Sequence, residues 1–276
     1  MKVAMRGVGL LGIALTILAG GCGARPAAPT ASRLSSPSPA PPAIHSVYKQ
    51  DYGLSPSVWW RRGSKGWAGM TSASGTIGLA TTVRRVSATW VEPRVLADDA
   101  ARDAVSVWVG LSDRSTRSLV QIGVEAATHS ATLYVPWRTA FYEMFPQPPV
   151  PFYTVTVRAG DTLTATVAQL SSGWYSGYRL TLRNDTTGAQ FATTQQAFYI
   201  NPTEGDIIVE KPKPRVGDVA LPNFSPVHFT VCSFNGQRIA RFRLTKIDMV
   251  AKHHHIAVAS IPGADGASFT VWRTGP

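Results

Sequence analysis

Short runs of β-branched and aromatic residues, alternating with polar ones and bounded by Gly, Pro, Asn or Asp, follow one another along most of this chain, and segments of helical period are nearly absent. The runs include Thr76 to Trp90, Ala104 to Leu111, Ser118 to Glu125, Thr132 to Trp137 and Phe152 to Arg158. They continue with Thr162 to Ala168, Tyr178 to Arg183, Gln190 to Phe198, Val227 to Phe234 and Ser268 to Trp272. Asn184-Asp185-Thr186-Thr187-Gly188 is a turn between two of them. Strands at this spacing predict an all-β sandwich, and no internal repeat is visible.

At 276 residues with 44% hydrophobic content the chain is long enough for a sizeable core, and one folded domain is expected. Its first residues place Lys2 and Arg6 ahead of the apolar run Val8 to Ala19, the layout of a signal peptide over residues 1–21. Ala19-Gly20-Gly21-Cys22 resembles a bacterial lipoprotein cleavage box, so a lipidated Cys22 holding the protein at the outer face of a membrane is expected. The alternative is ordinary cleavage near the same small residues and secretion. Residues 22–47 are rich in Pro, Ala and Ser and read as a tether; the domain is expected over 48–276. Cys22 and Cys232 are the two cysteines, which excludes a disulfide framework, and Cys232 reads as a buried inert thiol. The formal charge is +11, or +9 without the signal segment, but the basic residues are scattered, and no nucleic-acid partner is expected.

Three strands divide their faces in the same way, because side chains in a strand alternate. Val120, Ile122 and Val124 form one face, opposite Leu119, Gln121, Gly123 and Glu125. Val105, Val107, Val109 and Leu111 oppose Ser106, Trp108, Gly110 and Ser112. Ile207 and Val209 oppose Asp206, Ile208 and Glu210. The second faces are polar without being densely charged, and Gly123 leaves room for a ligand or another backbone to approach. They are expected to floor a substrate groove in which Gln121 works. No His-Glu-x-x-His, Gly-x-Ser-x-Gly or phosphate-cradling loop occurs; His253-His254-His255 reads as a solvated run, and neither metal nor cofactor is expected.

Taken in order, Trp67-Ala68-Gly69, Trp90-Val91-Glu92-Pro93, Trp108-Val109-Gly110-Leu111-Ser112, Gln121-Ile122-Gly123-Val124-Glu125, Tyr142-Glu143-Met144-Phe145-Pro146, Gly160-Asp161, Gly205-Asp206-Ile207-Ile208-Val209-Glu210 and Phe224-Ser225-Pro226 resemble the eqolisin family of glutamic peptidases. The resemblance implies a single-domain sandwich of two antiparallel sheets, of the concanavalin-like or jelly-roll type, with a groove on one concave face. It implies a catalytic dyad at Gln121 and Glu210, and a groove lined by Trp67, Trp108, Glu125, Glu143 and Asp206. Ser112, Asp206, Ile207 and Met144 depart from the family pattern in the groove lining, not in the dyad. A carboxylate can take a proton from the attacking water and return it to the leaving nitrogen, while a primary amide donates to the oxyanion. With Glu210 near the ordinary value of about 4.3, endopeptidase activity in acid is implied, on peptide or protein substrates and by a monomer. Two other classes stay open from the residues alone. Glu125 and Glu143 could pair for glycoside hydrolysis, or the groove could bind a polymer or carbohydrate without cutting it, with Trp67 and Trp108 simply core.

Overall fold

The computed structural model describes residues 60–72, 82–96, 103–113, 116–129, 133–198, 202–212 and 220–275, all within the unit Gln50–Pro276. The signal segment, Cys22 and the tether lie outside the described residues. Eighteen strands are found among the described residues. In chain order they are β1 (Trp60–Ser64), β2 (Trp67–Ser72), β3 (Arg85–Val91), β4 (Val95–Leu96), β5 (Asp103–Asp113), β6 (Ser118–His129), β7 (Leu133–Phe145), β8 (Val150–Phe152) and β9 (Thr162–Gln169). There follow β10 (Tyr175–Asn184), β11 (Gln190–Phe198), β12 (Glu204–Glu210), β13 (Asn223–Phe224), β14 (Val227–Phe234), β15 (Gln237–Arg238), β16 (Leu244–Ala251), β17 (His254–Ala259) and β18 (Phe269–Arg273).

Fourteen of these strands form one hydrogen-bonded path, β11-β10-β9-β3-β14-β18-β17-β16-β2-β12-β5-β6-β7-β8, that folds back on itself; β1 and β15 pair β16 and β14 beside it, and β4 and β13 make a separate two-stranded sheet. β16 makes the turn: it pairs β2 along Leu244 to Ile247 and β17 from Met249 onward. The half containing β10, β9, β3 and β14 therefore packs against the half containing β6, β5 and β12. The result is a sandwich of two layers, antiparallel throughout except that β1 runs parallel to β16.

Alternation supplies the core between the layers. Val105, Val107, Val109, Leu111, Val120, Ile122, Val124, Ile207 and Val209 meet Val86, Ala88, Trp90, Leu163, Ala165, Val167, Leu180, Leu182 and Phe229. The opposite faces of β5, β6 and β12 hold a second, smaller apolar cluster: Trp108, Leu119, Phe141, Ile208 and Ile247, with Trp67 against it.

A buried polar knot ties the segment after β3 to the turn before β9 and to β7. Glu92, 1% exposed, accepts from the Trp90 indole at 3.2 Å and from Arg138 Nε at 3.2 Å, while its backbone bonds to Gly160 and Asp161. Burial pushes its carboxyl up to about 7, outweighing the lowering effects of Arg138 and Trp90. Asp161 in turn accepts from Arg158 N and Asn184 Nδ2, both at 2.8 Å.

Several boundaries differ from the sequence reading. The strand expected to end at Trp137 runs on to Phe145, and this brings Glu143 into the sheet. Phe152 to Arg158 is not a strand beyond Phe152, although Val155 and Val157 are buried. Side chains serve its backbone instead, with Asn184 Nδ2 donating to Thr156 O at 3.0 Å. β16 and β17 are additional, and the expected histidine run forms their hairpin, with Lys252 and His253 at positive φ and residues 252–255 exposed. Among the described residues no group of three or more potential ligands is placed to hold a metal. Cys232 is buried, and burial pushes its thiol up, as an inert thiol requires.

Candidate active site

Register places the polar residues in rows across the outer face of β7, β6, β5, β12 and β2. In the first row Glu143 pairs Gln121, Gln121 pairs Gly110, Gly110 pairs Asp206 and Asp206 pairs Thr71. The next row runs Phe141, Gly123, Trp108, Ile208, Gly69. The third runs Thr139, Glu125, Ser106, Glu210, Trp67. Directly opposed residues in an antiparallel pair share a face, so one surface carries the whole set.

Glu210 is held at both oxygens. Trp67, its direct cross-strand neighbour, donates Nε1 to Oε1 at 3.0 Å, and Trp108, one row away, donates Nε1 to Oε2 at 2.8 Å. The two indoles meet edge to face with centroids 5.1 Å apart. Each carboxyl oxygen keeps a further acceptor site. Burial pushes Glu210 up to about 7; the two indole bonds lower it, and the charges of Glu143 and Glu125 raise it further. The carboxyl therefore departs from the ordinary value expected of it.

Gln121, 4% exposed, donates from Nε2 to Glu143 Oε2, and its Oε1 is buried without a partner. A carboxylate accepts only, so this contact fixes which end of the amide is nitrogen. Burial raises the Glu143 carboxyl, with the Gln121 bond opposing. Glu125 is half-buried, accepts from Ser106 Oγ at 3.5 Å and is also raised by burial. Asp206 is buried in the row of Gln121.

All the residues singled out in the folded region, Gln121, Glu210, Trp67, Trp108, Glu125, Glu143 and Asp206, fall on this one face. Trp67 and Trp108 pack as apolar residues and bond the carboxyl at once. The opening at Gly123 is filled from within: a Cβ there would lie 2.2 Å from Val107 O and 2.5 Å from Trp108 Cβ, so its approaching group is the neighbouring strand. Phe141 and Ile247 complete the apolar floor and were missed in the sequence reading. The alternation Trp137, Thr139, Phe141, Glu143, Phe145 carries the signal for Phe141.

A model of the Peptidase A4 family matches residues 65–269. No curated protein sequence matches the chain. Among solved structures, scytalido-glutamic peptidase with a transition state analog inhibitor is similar at a TM-score of 0.62 and 19% identity, covering 76% of this chain and 98% of that one. Aspergilloglutamic peptidase from Aspergillus niger is similar at a TM-score of 0.53 and 24% identity, covering 62% and 99%. At these identities the likeness is one of fold.

Proposed function

The chain belongs to the Peptidase A4 family, the eqolisin glutamic peptidases, and on that premise we propose that Gln121 and Glu210 are the dyad with which this endopeptidase hydrolyses peptide bonds. One observation carries the assignment: Glu210 is held through both oxygens by indole N–H groups, on the same face as a buried amide whose oxygen has no partner.

Below about pH 7 the resting Glu210 carries a proton. It passes that proton to the carbonyl oxygen of the scissile amide as water adds to the carbon, and the carboxylate so formed takes a proton from the water. The adduct is then neutral and Glu210 is again protonated. On collapse Glu210 protonates the nitrogen, the C–N bond breaks, and one hydroxyl of the adduct returns its proton to Glu210 as the acid product forms. Gln121 has one N–H left to donate to the former carbonyl oxygen, and Oε1 accepts from the water. A single titrating group thus serves as acid and base, and activity is lost as pH rises through its pKa.

Gln121→Ala and Glu210→Gln, purified and shown to be folded by circular dichroism, are each expected to lose at least about 10²–10³ in turnover of a peptide library. The double variant falls little below the poorer single one, because both residues serve one step. Wild-type cleavage by Glu210→Gln would remove the assignment. The proposal extends to place: export by residues 1–21 and a lipidated Cys22 would hold a monomeric domain at the outer face of a membrane. Cys22→Ser then releases the protein from the membrane fraction, and an unlipidated wild-type mass would refute it.

A further inference from the structure

The two outer faces of the sandwich differ in chemistry. The groove lies outside β6, β5 and β12, whereas outside β3, β9 and β10 one register row runs Arg85, Ala168, Arg179. These positions alternate with the core residues Val86, Val167 and Leu180, so both arginines point away from the core on the side opposite the groove. Both are exposed, and neither has an ion-pair partner among the described residues. Where this layer ends, the hairpin tip between β9 and β10 is of another kind. Gln169 to Tyr178 carries no charge. Leu170, Trp174 and Tyr175 on the tip, with Phe198 across from Tyr175 on β11, are 54% to 67% exposed. The Phe198 ring lies 5.1 Å from that of Tyr175 and 6.4 Å from that of Trp174, centroid to centroid. The tip is held in shape, since Leu170 N donates to Gly177 O at 2.7 Å and Gly177 N to Ser171 Oγ at 3.0 Å. Contiguous exposed apolar side chains of this size mark a contact surface.

We propose that this tip and the arginine row behind it dock on an anionic phospholipid surface. Trp and Tyr settle at headgroup level, with their rings in apolar surroundings and their N–H or O–H in polar ones, and the planar guanidinium suits phosphate. The spacing fits. Tyr175 and Arg179 stand four residues apart on β10, about 13 Å at ~3.3 Å per residue. A tip sunk about 5–10 Å, the depth amphipathic elements reach, therefore leaves the guanidinium groups among the phosphates. Charge agrees as well: the chain has 27 Lys and Arg against 16 Asp and Glu. A neutral glycan would account for the rings and not for the arginines. The expected anchor at Cys22 and the tether of residues 22–47 would deliver the domain to such a surface, and the groove, on the opposite layer, stays turned to solution. The inference depends neither on the peptidase reading nor on acylation.

The test sediments the Cys22→Ser chain, which carries no acyl group, with vesicles of phosphatidylcholine alone or mixed with phosphatidylglycerol. Binding is expected to the mixed vesicles and should weaken with salt. In that background Arg85→Gln and Arg179→Gln should each lower the partition coefficient about fivefold. Trp174→Ser with Tyr175→Ser should lower it about tenfold or more. The substituted side chains are exposed, so thermal midpoints should stay in place. A second readout needs no loss of binding: lipid brominated in its acyl chains should quench the tryptophan fluorescence, and Trp174→Phe should remove most of that quenching while still sedimenting with the vesicles. Equal partition of the parent chain and the Trp174→Ser, Tyr175→Ser variant would overturn the inference. Indifference to phosphatidylglycerol, or retention on an insoluble glycan with none on vesicles, would overturn it too.

Discussion

Glu210 shows what a single residue owes to its neighbours. Its two indole bonds stabilise the carboxylate, so removing one raises the pKa. Trp67→Phe keeps a ring in place and deletes the N–H bonded at 3.0 Å. The alkaline limb of kcat/KM, expected near pH 7, should move to higher pH in this variant; a limb that stays put would show that the bond does not set it. Gly123 is a second residue with a specific reason. An added methyl would meet Val107 O and Trp108 Cβ inside 3 Å, so Gly123→Ala should cost about 1–3 kcal/mol in urea unfolding and disturb the indole that holds Glu210. Neither property is legible in one strand read alone. Alternation shows that Gly123 and Glu210 share a face type, but the contact at Gly123 and the pKa of Glu210 depend on β5 and β2, whose pairing the local sequence does not encode.

At the scale of elements, legibility follows burial pattern. β5, β6 and β12 have one apolar face in the main core, so period-two alternation reveals both their existence and their orientation. The sequence shows only the first part of β7, because its groove face mixes Thr139, Phe141 and Glu143 with partly buried Tyr142 and Met144 opposite, which breaks a clean alternation. β16 gives little strand signal in the sequence, since Lys246 and Asp248 stand at period two from Leu244, where an apolar face would continue. Its Lys246 and Asp248 are buried and bonded to each other; Lys246 Nζ also donates to Ala259 O at 2.9 Å, and Ala259 N donates to Asp248 Oδ1 at 3.1 Å. Pairing hides the charges that local composition displays. Lys246→Met removes the ammonium and leaves a buried carboxylate, for an expected loss of about 3–5 kcal/mol in denaturant unfolding, whereas Lys246→Met with Asp248→Leu should recover a large part of it. A double variant as unstable as the single would show that the pair is not the unit that matters.

For the whole molecule the raised carboxyls set a pH dependence. Glu92 and Glu210 are pushed to about 7, and Glu125 and Glu143 upward, from ordinary values near 4.5. Between those limits the folded state binds more protons than the unfolded one, so unfolding free energy falls as pH rises. This contribution is fully present below about pH 4.5 and lost by the time pH has passed through about 7. The midpoint of thermal unfolding should therefore be higher at about pH 4.5 than at about pH 7.5, by about 2–4 °C for each kcal/mol. A midpoint that rises with pH over this window would contradict the shifts. Glu210→Gln, which cannot ionise, should flatten part of the slope.

The place of β12 has a consequence in time. Glu210 lies on a strand inserted between β2 and β5, and it meets Trp67 across 143 residues of chain and Trp108 across 102. The β6 and β7 hairpin that carries Gln121 and Glu143 can form locally, but the carboxyl joins it only when that distant strand closes the sheet, the slow class of contact in folding. On the proposed dyad, a chain still being synthesised, or stalled partway to its native state, has no assembled centre. The same proposal then expects no self-cleavage while the backbone is still exposed, and a refolding time course should show activity appearing only after β12 has joined the sheet.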